Sequence, residues 1–473
     1  MIPERFYALT VRELGRGLRA GEFSSLELAR GYLARLEELG PRYNAVVTLT
    51  RDRALDEASR ADEELAKKKD RGPLHGIPYG AKDLLATRGI PTTWGAEPFR
   101  KQVFGEDAEV VRRLKEAGAV LCAKLSMVEL AGGMGYNHAD AAFNGPGICP
   151  WNTKYWSGGS SSGPGSAVAA GLVPFAIGSE TSGSILTPAA FSGVAGLRPT
   201  YGLVSRRGAM ALSWTLDKLG PMGRTADDCA LVLAAIAGQD PKDPTSVANG
   251  FTYEPADPKS TTRAPWRLAV PKGVTDKVQP AVRENFEKAL SAFGKNVDVT
   301  REVEWPDFPW GPAVGVIVGA EGASAFLELI ESGGLTKLRC PRDRYAGYNG
   351  TAVSAVDYLQ AMRMRGPMKD AVNALFERYD AIVSPTRATV SYPIDVEFQK
   401  AWPGVSGGPP LIPAGNLCGL PAVCVPNGLG EGGMPTGITF LGPAFSEAKL
   451  VAMAHEVESK LRFHTKLPPG VSG

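Results

Sequence analysis

The chain has 473 residues, 44% of them hydrophobic, and a formal net charge of +2. That length supports a sizeable core, the charge gives no overall pull toward nucleic acid or an acidic membrane, and no apolar run reaches the roughly 18 residues that would span a bilayer. The start, Met1-Ile2-Pro3-Glu4-Arg5, lacks the apolar stretch of a signal peptide, and none of Cys122, Cys149, Cys229, Cys340, Cys418 and Cys424 falls in a Cys-x-x-Cys pair. A reduced, cytoplasmic protein with buried thiols is therefore expected.

The first seventy residues read as helical. Ser24-x-x-Glu27 is a capping-box pattern, and Gly40-Pro41 ends the helix that it starts. A strand is predicted over 45–49 and a charged helix over 51–69, with Lys67-Lys68-Lys69 as its solvated end. A helix over 107–117 leads into a strand over 120–123. Residues 127–156 are rich in glycine and aromatics and read as an ordered loop around a site. A helix over 166–172 and a strand over 173–178 lie between two glycine-serine turns. Further helices are predicted over 226–237, 280–293 and 447–461, and strands over 266–271, 381–383, 422–425 and 437–441. This alternation implies a single large α/β/α sandwich around a central mixed, mostly parallel sheet. Residues 1–473 form one domain in this reading: a helical region over 1–70, a catalytic core over 71–230, and pocket insertions over 240–264 and 305–350.

The two turns are the informative feature. The first is Gly158-Gly159-Ser160-Ser161-Ser162-Gly163 and the second is Gly178-Ser179-Glu180-Thr181-Ser182-Gly183-Ser184. Glycine permits close backbone approach and unusual dihedral angles, and serine supplies a hydroxyl. A serine hydroxyl is a poor nucleophile until a base removes its proton. The chain has only four histidines, His75, His138, His455 and His464, none in a metal-ligand spacing. A lysine stands upstream, in Gly76-Ile77-Pro78-Tyr79-Gly80-Ala81-Lys82-Asp83.

The segment from Gly158 to Ser205 resembles the amidase signature family of serine hydrolases. The resemblance rests on both turns, on Pro188-Ala189-Ala190-Phe191-Ser192-Gly193-Val194-Ala195-Gly196-Leu197-Arg198-Pro199-Thr200, on the lysine motif, on Cys149-Pro150-Trp151, and on Asn416-Leu417-Cys418-Gly419-Leu420-Pro421-Ala422. It implies Ser184 as nucleophile, Ser160 as proton relay across a cis Gly159–Ser160 peptide, and Lys82 as the base on Ser160. Lys82 must then be neutral, which burial favours. The backbone N–H groups of Thr181, Ser182, Gly183 and Ser184 would form the oxyanion hole at a helix start. Ala131 is expected against the substrate, and Ser161 and Ser179 are expected either to hold the two catalytic hydroxyls or to have a structural role. Leu186 stands where arginine is common in the family, and Glu180 where aspartate is common. An acid–arginine contact in the site is therefore expected to be missing, with a guanidinium removed from the site region.

The resemblance implies hydrolysis of a neutral carboxamide, and also of esters, anilides or carbamates, by way of an acyl-enzyme. It implies no metal or cofactor and no partner beyond a small-molecule amide or ester, in a monomer or homodimer. Met134, Tyr136, Trp305 and Trp310 are candidate apolar pocket residues. Two other readings compete. The chain also resembles the glutamine-hydrolysing subunit of glutamyl-tRNA amidotransferase, whose clamp on glutamine needs an arginine and an aspartate. Arg365 lies near the first position, but Pro409 occupies the second. Alternatively, Gly159-Ser160-Ser161-Ser162-Gly163 matches the nucleophile elbow of α/β-hydrolases, with Ser161 as nucleophile and His455 or His464 as base.

Overall fold

The computed structural model describes residues 2–254, 265–405 and 411–471. Among the described residues eleven strands form one sheet: β1 (Val46–Leu49), β2 (Pro78–Lys82), β3 (Val120–Leu125), β4 (Phe175–Glu180), β5 (Ala195–Arg198), β6 (Lys218–Gly223), β7 (Trp266–Pro271), β8 (Val297–Val303), β9 (Ala381–Pro385), β10 (Ala422–Leu429) and β11 (Pro435–Leu441). Their order across the sheet is β1-β3-β2-β4-β6-β5-β10-β11-β9-β7-β8.

The sheet is mixed, but it is not mostly parallel. Four of its ten pairings are parallel, β2 with β3 and β4, and β7 with β8 and β9. The other six are antiparallel and include the whole central block from β4 to β9. For one of these pairs the cause is local. β10 and β11 are joined by a tight turn through Glu431–Gly433, and a tight turn can join only antiparallel neighbours. Sequence patterning does not reveal β2, β5, β6 and β8. β2 and β6 carry glycine and proline in place of an alternating apolar pattern, and β8 is a largely exposed edge strand.

Alternate side chains of the central strands enter two separate cores. Phe175, Ile177, Val423 and Val425 belong to one core, and Ala176, Ala422 and Cys424 to the other. Period-two alternation sends successive residues to opposite faces, so both faces of the sheet are covered. The helices Ala226–Ile236, Pro280–Ala292 and Glu447–Leu461 supply the first core. The helices Ser162–Ala169, Leu186–Ser192, Trp310–Ala325 and Ala355–Phe376 supply the second. The helix from Ser25 to Leu39 begins with the expected capping box of Ser24 and Glu27. The predicted helix over 166–172 starts four residues earlier, at Ser162, directly after Ser160 and Ser161. Residues 305–350, read as an insertion, are largely helical, as Trp310–Ala325, Leu327–Glu331 and Asp343–Thr351. Within 240–264, residues 255–264 lie outside the described residues. No helix among the described residues is long and apolar enough to cross a membrane, and all six cysteines are buried and free.

Candidate active site

β2 and β4 are parallel neighbours, with Ala81 opposite Ile177. This register brings Lys82, at the end of β2, beside Ser179 near the end of β4. The helix Ser162–Ala169 packs on β4 and presents Ser160 and Ser161 just before its first turn. The helix start also lies against the chain just after β3, where a Cβ added at position 163 would be 2.4 Å from the backbone nitrogen of Ser126. The Gly159–Ser160 peptide is cis.

Lys82 is fully buried. Its Nζ donates to Ser160 Oγ at 2.8 Å, Ser161 Oγ at 3.0 Å and Ser179 Oγ at 2.8 Å. No carboxylate touches it among the described residues. Burial pushes its pKa down to about 7, against the more distant pull of Asp217 and Glu180. Ser161 and Ser179, expected either to hold the catalytic hydroxyls or to be structural, both bond the Lys82 amine. Ser161 Oγ also donates to the Ser179 carbonyl at 3.2 Å, so its proton is committed away from Lys82. Ser160 and Ser179 are the hydroxyls left to exchange a proton with a neutral amine.

Ser184 closes the second turn, two residues before the helix Leu186–Ser192. Its carbonyl accepts from Ser161 N at 3.3 Å, which ties the two turns together. Ser184 is half-buried on a cavity wall while Ser160 is buried. No hydrogen bond joins their side chains among the described residues. Gly183 has φ +93°, a conformation that side chains resist. The N–H groups of Ser182, Gly183 and Ser184 have no acceptor among the described residues, so they are free to receive a negative oxygen. Ala131 lines the same cavity, and its own N–H is used on the Val128 carbonyl at 3.0 Å.

Glu180 anchors this turn. Its Oε2 accepts from the backbone N–H groups of Ile185 and Leu186, at 2.9 and 3.0 Å. Its Oε1 accepts from Arg198 Nη1 at 2.9 Å and Asn416 Nδ2 at 2.8 Å. Burial alone would raise its pKa, but Arg198, Asn416 and the Leu186 N–H outweigh that and hold it below the ordinary value. An acid–arginine contact is thus present, contrary to the expectation drawn from Leu186. The arginine comes from β5, not from the helix start. Asp217, not singled out in the sequence, fixes the other side of the turn. It accepts from Thr181 Oγ1 at 2.6 Å and from the N–H groups of Leu212 and Ser213 at 2.8 and 2.9 Å.

The cavity beside Ser184 holds about 810 Å3. Met134 and Tyr136 line it as expected. Trp305 and Trp310 do not: they pack against each other with ring centres 5.9 Å apart, and Trp310 Nε1 donates to the Pro306 carbonyl. Arg365 is also absent from the wall and donates to the carbonyls of Leu417 and Thr215. Pro409 lies outside the described residues. Two guanidinium groups that sequence reasoning missed, Arg342 and Arg387, do line the cavity, and no aspartate or glutamate does so among the described residues. A smaller cavity of about 220 Å3 shares Ala131, Thr181 and Leu212 with it and is also lined by 242–245. Among the described residues no histidine reaches Ser161, and no cluster of side chains is arranged to hold a metal ion.

A family model described as Amidase matches residues 27–451. The chain belongs to the amidase signature family. It is 36% identical to one subunit of the glutamyl-tRNA(Gln) amidotransferase from Methylococcus capsulatus, over 98% of this chain and 99% of that protein. Its fold superposes on the peptide amidase of Stenotrophomonas maltophilia with a TM-score of 0.86 at 29% identity, covering 100% of both chains. It superposes on the corresponding glutamyl-tRNA(Gln) amidotransferase subunit of Thermotoga maritima with a TM-score of 0.79 at 27% identity, over 99% of this chain and 98% of that one.

Proposed function

We propose that this chain is an amidase that cleaves a carboxamide lacking an ammonium group, through an acyl-enzyme on Ser184. The observation that carries the reading is the buried Lys82 amine, 2.8 Å from Ser160 Oγ, with burial bringing its pKa to about 7. A neutral amine at that place is a base. As Ser184 Oγ attacks the amide carbon, its proton passes to Ser160 Oγ, whose own proton passes to Lys82 Nζ. The carbonyl oxygen becomes an oxyanion facing the free N–H groups of Ser182, Gly183 and Ser184, an arrangement that stabilises charge formed only in the transition state. The proton then returns through Ser160 to the leaving nitrogen, the C–N bond breaks, and water releases the acid by the same route. Esters pass through the same tetrahedral intermediate and should react too, as should anilides and carbamates.

The cavity favours this substrate class over free glutamine. An α-ammonium group buried without a carboxylate costs several kcal/mol, and the described wall has none. The second reading, the glutamine-hydrolysing component of a tRNA-dependent amidotransferase, draws on the 36% identity over nearly the whole length of such a protein. Kinetics on the purified single chain separate the two. The amidase reading expects kcat/KM for aryl and alkyl amides far above that for glutamine, with no second protein. Equal or better glutamine turnover, or activity only with a partner protein, would replace it.

A further inference from the structure

The charged lining of the cavity is one-sided. Among its described wall residues the only ionised side chains are Arg342 and Arg387. Arg342 is exposed at the start of a helix, where water screens it. Arg387 is half-buried, two residues beyond the end of β9. Its Nη2 donates to Tyr392 Oη at 3.3 Å, and its guanidinium carbon lies 5.9 Å from the centre of the Phe191 ring. Nothing else pairs with it among the described residues. A guanidinium carries five N–H donors in a planar fork, so most of Arg387 stands ready for an acceptor that the described residues do not supply.

Its surroundings define what that acceptor is attached to. Trp156 and Phe398 stack with ring centres 4.7 Å apart, and Tyr392 and Phe398 stack at 4.9 Å. Tyr136 closes edge-on at 6.0 Å from Trp156 and 5.8 Å from Phe398. All four rings line the same cavity as Ser184 and Arg387. The Trp156 indole N–H is buried and also has no acceptor among the described residues. An aromatic wall favours a flat apolar body by stacking, and a guanidinium fork matches a carboxylate better than any neutral group.

We propose that Arg387 is a specificity-determining residue that binds a carboxylate on the substrate, so that the amide cleaved at Ser184 belongs to an acidic, flat-bodied molecule. This rests on the amidase reading above and narrows its substrate class. It also reverses the expectation of an uncharged substrate. That expectation assumed no guanidinium near the site, which holds for position 186 but not for position 387.

The test uses two matched pairs of amides: 4-carbamoylbenzoate against benzamide, with the carboxylate on the acyl side, and 4-acetamidobenzoate against acetanilide, with it on the amine side. The quantity read is the ratio of kcat/KM, acid over neutral, in wild type, Arg387→Met, Arg387→Lys and Arg342→Met. For at least one pair the wild-type ratio should exceed about tenfold, as expected when a charged hydrogen-bonding site meets its partner. Arg387→Met should bring that ratio near one, Arg387→Lys should keep part of it, and Arg342→Met should keep most. A wild-type ratio near or below one for both pairs overturns the proposal. So does a preference that survives Arg387→Met, or one that vanishes only in Arg342→Met. Calorimetric binding of the same four compounds to Ser184→Ala, with and without Arg387→Met, reads the anchor without turnover. If no amide is cleaved by wild type, the amidase reading fails on its own. The carboxylate site still stands or falls by whether the acid binds about tenfold more tightly and loses that margin with Arg387→Met.

Discussion

Arg198 on β5 reaches past the intervening strand β6 to place its Nη1 2.9 Å from Glu180 Oε1, at the end of β4, with both side chains completely buried. The same carboxylate holds the N–H groups of Ile185 and Leu186 with its other oxygen. One buried ion pair therefore ties the sheet to the turn that presents Ser184.

Removing one partner of such a pair leaves an uncompensated charge in the interior, at a cost of about 3–5 kcal/mol. Arg198→Met should lower stability in denaturant titration by that order and lower activity with it. Glu180 is held below its ordinary pKa, so its contribution is present above the unfolded value and lost as pH falls through the folded one. The gap between wild type and Arg198→Met should therefore shrink in acid. A gap that is independent of pH would show that Glu180 is not the group involved.

Ser184→Ala should reduce amide hydrolysis by on the order of 10⁴-fold or more and abolish labelling by a fluorophosphonate. Ser160→Ala should retain a measurable part of ester hydrolysis, because the free N–H groups of 182–184 remain in place. Peptide mapping of the label decides the assignment. A label on Ser161 would point instead to the nucleophile-elbow reading, although that hydroxyl is already bonded to Lys82 and to the Ser179 carbonyl.

The pH profile should follow Lys82. Burial lowers its pKa to about 7, and only the neutral form accepts a proton, so kcat/KM should rise from weakly acidic to weakly alkaline pH with a midpoint near there. Full activity at pH 5 would contradict a lysine base.

Ser179→Ala offers a finer test. Its hydroxyl oxygen accepts from Lys82 Nζ at 2.8 Å, a bond that is stronger to the ammonium than to the amine. Its loss disfavours the charged form. The midpoint of the pH profile should move to lower pH, while Ser184 remains reactive toward fluorophosphonate at alkaline pH. A shift to higher pH would mean that Ser179 acts chiefly as a donor to the neutral amine.

The two turns, the lysine and the spacing of 24 residues between Ser160 and Ser184 were legible in the sequence, because short motifs carry their local backbone with them. Glycine at 163 and 183 announces a close approach and a left-handed turn before any contact is known. Coverage of both faces of the sheet was readable from the alternation of predicted strands and helices. Strand direction was not, because pairing depends on which strands meet, and β5 and β10 are far apart in sequence yet adjacent in the sheet.

Charge placement lay furthest from the sequence. Leu186 correctly reported that its own position has no guanidinium, but an ion pair needs only proximity in space, and Arg198 supplies one from another strand. Trp305 and Trp310 looked like pocket residues by composition and instead fill a core, while Arg387 sits in an unremarkable loop that tertiary packing carries to the cavity wall. The sequence by itself determined the candidate serines and the candidate lysine, since those lie within short contiguous motifs. Only the tertiary structure decided what surrounds them, because desolvation of Lys82, the partners of Glu180 and the sign of the cavity wall all depend on residues brought together across the whole chain.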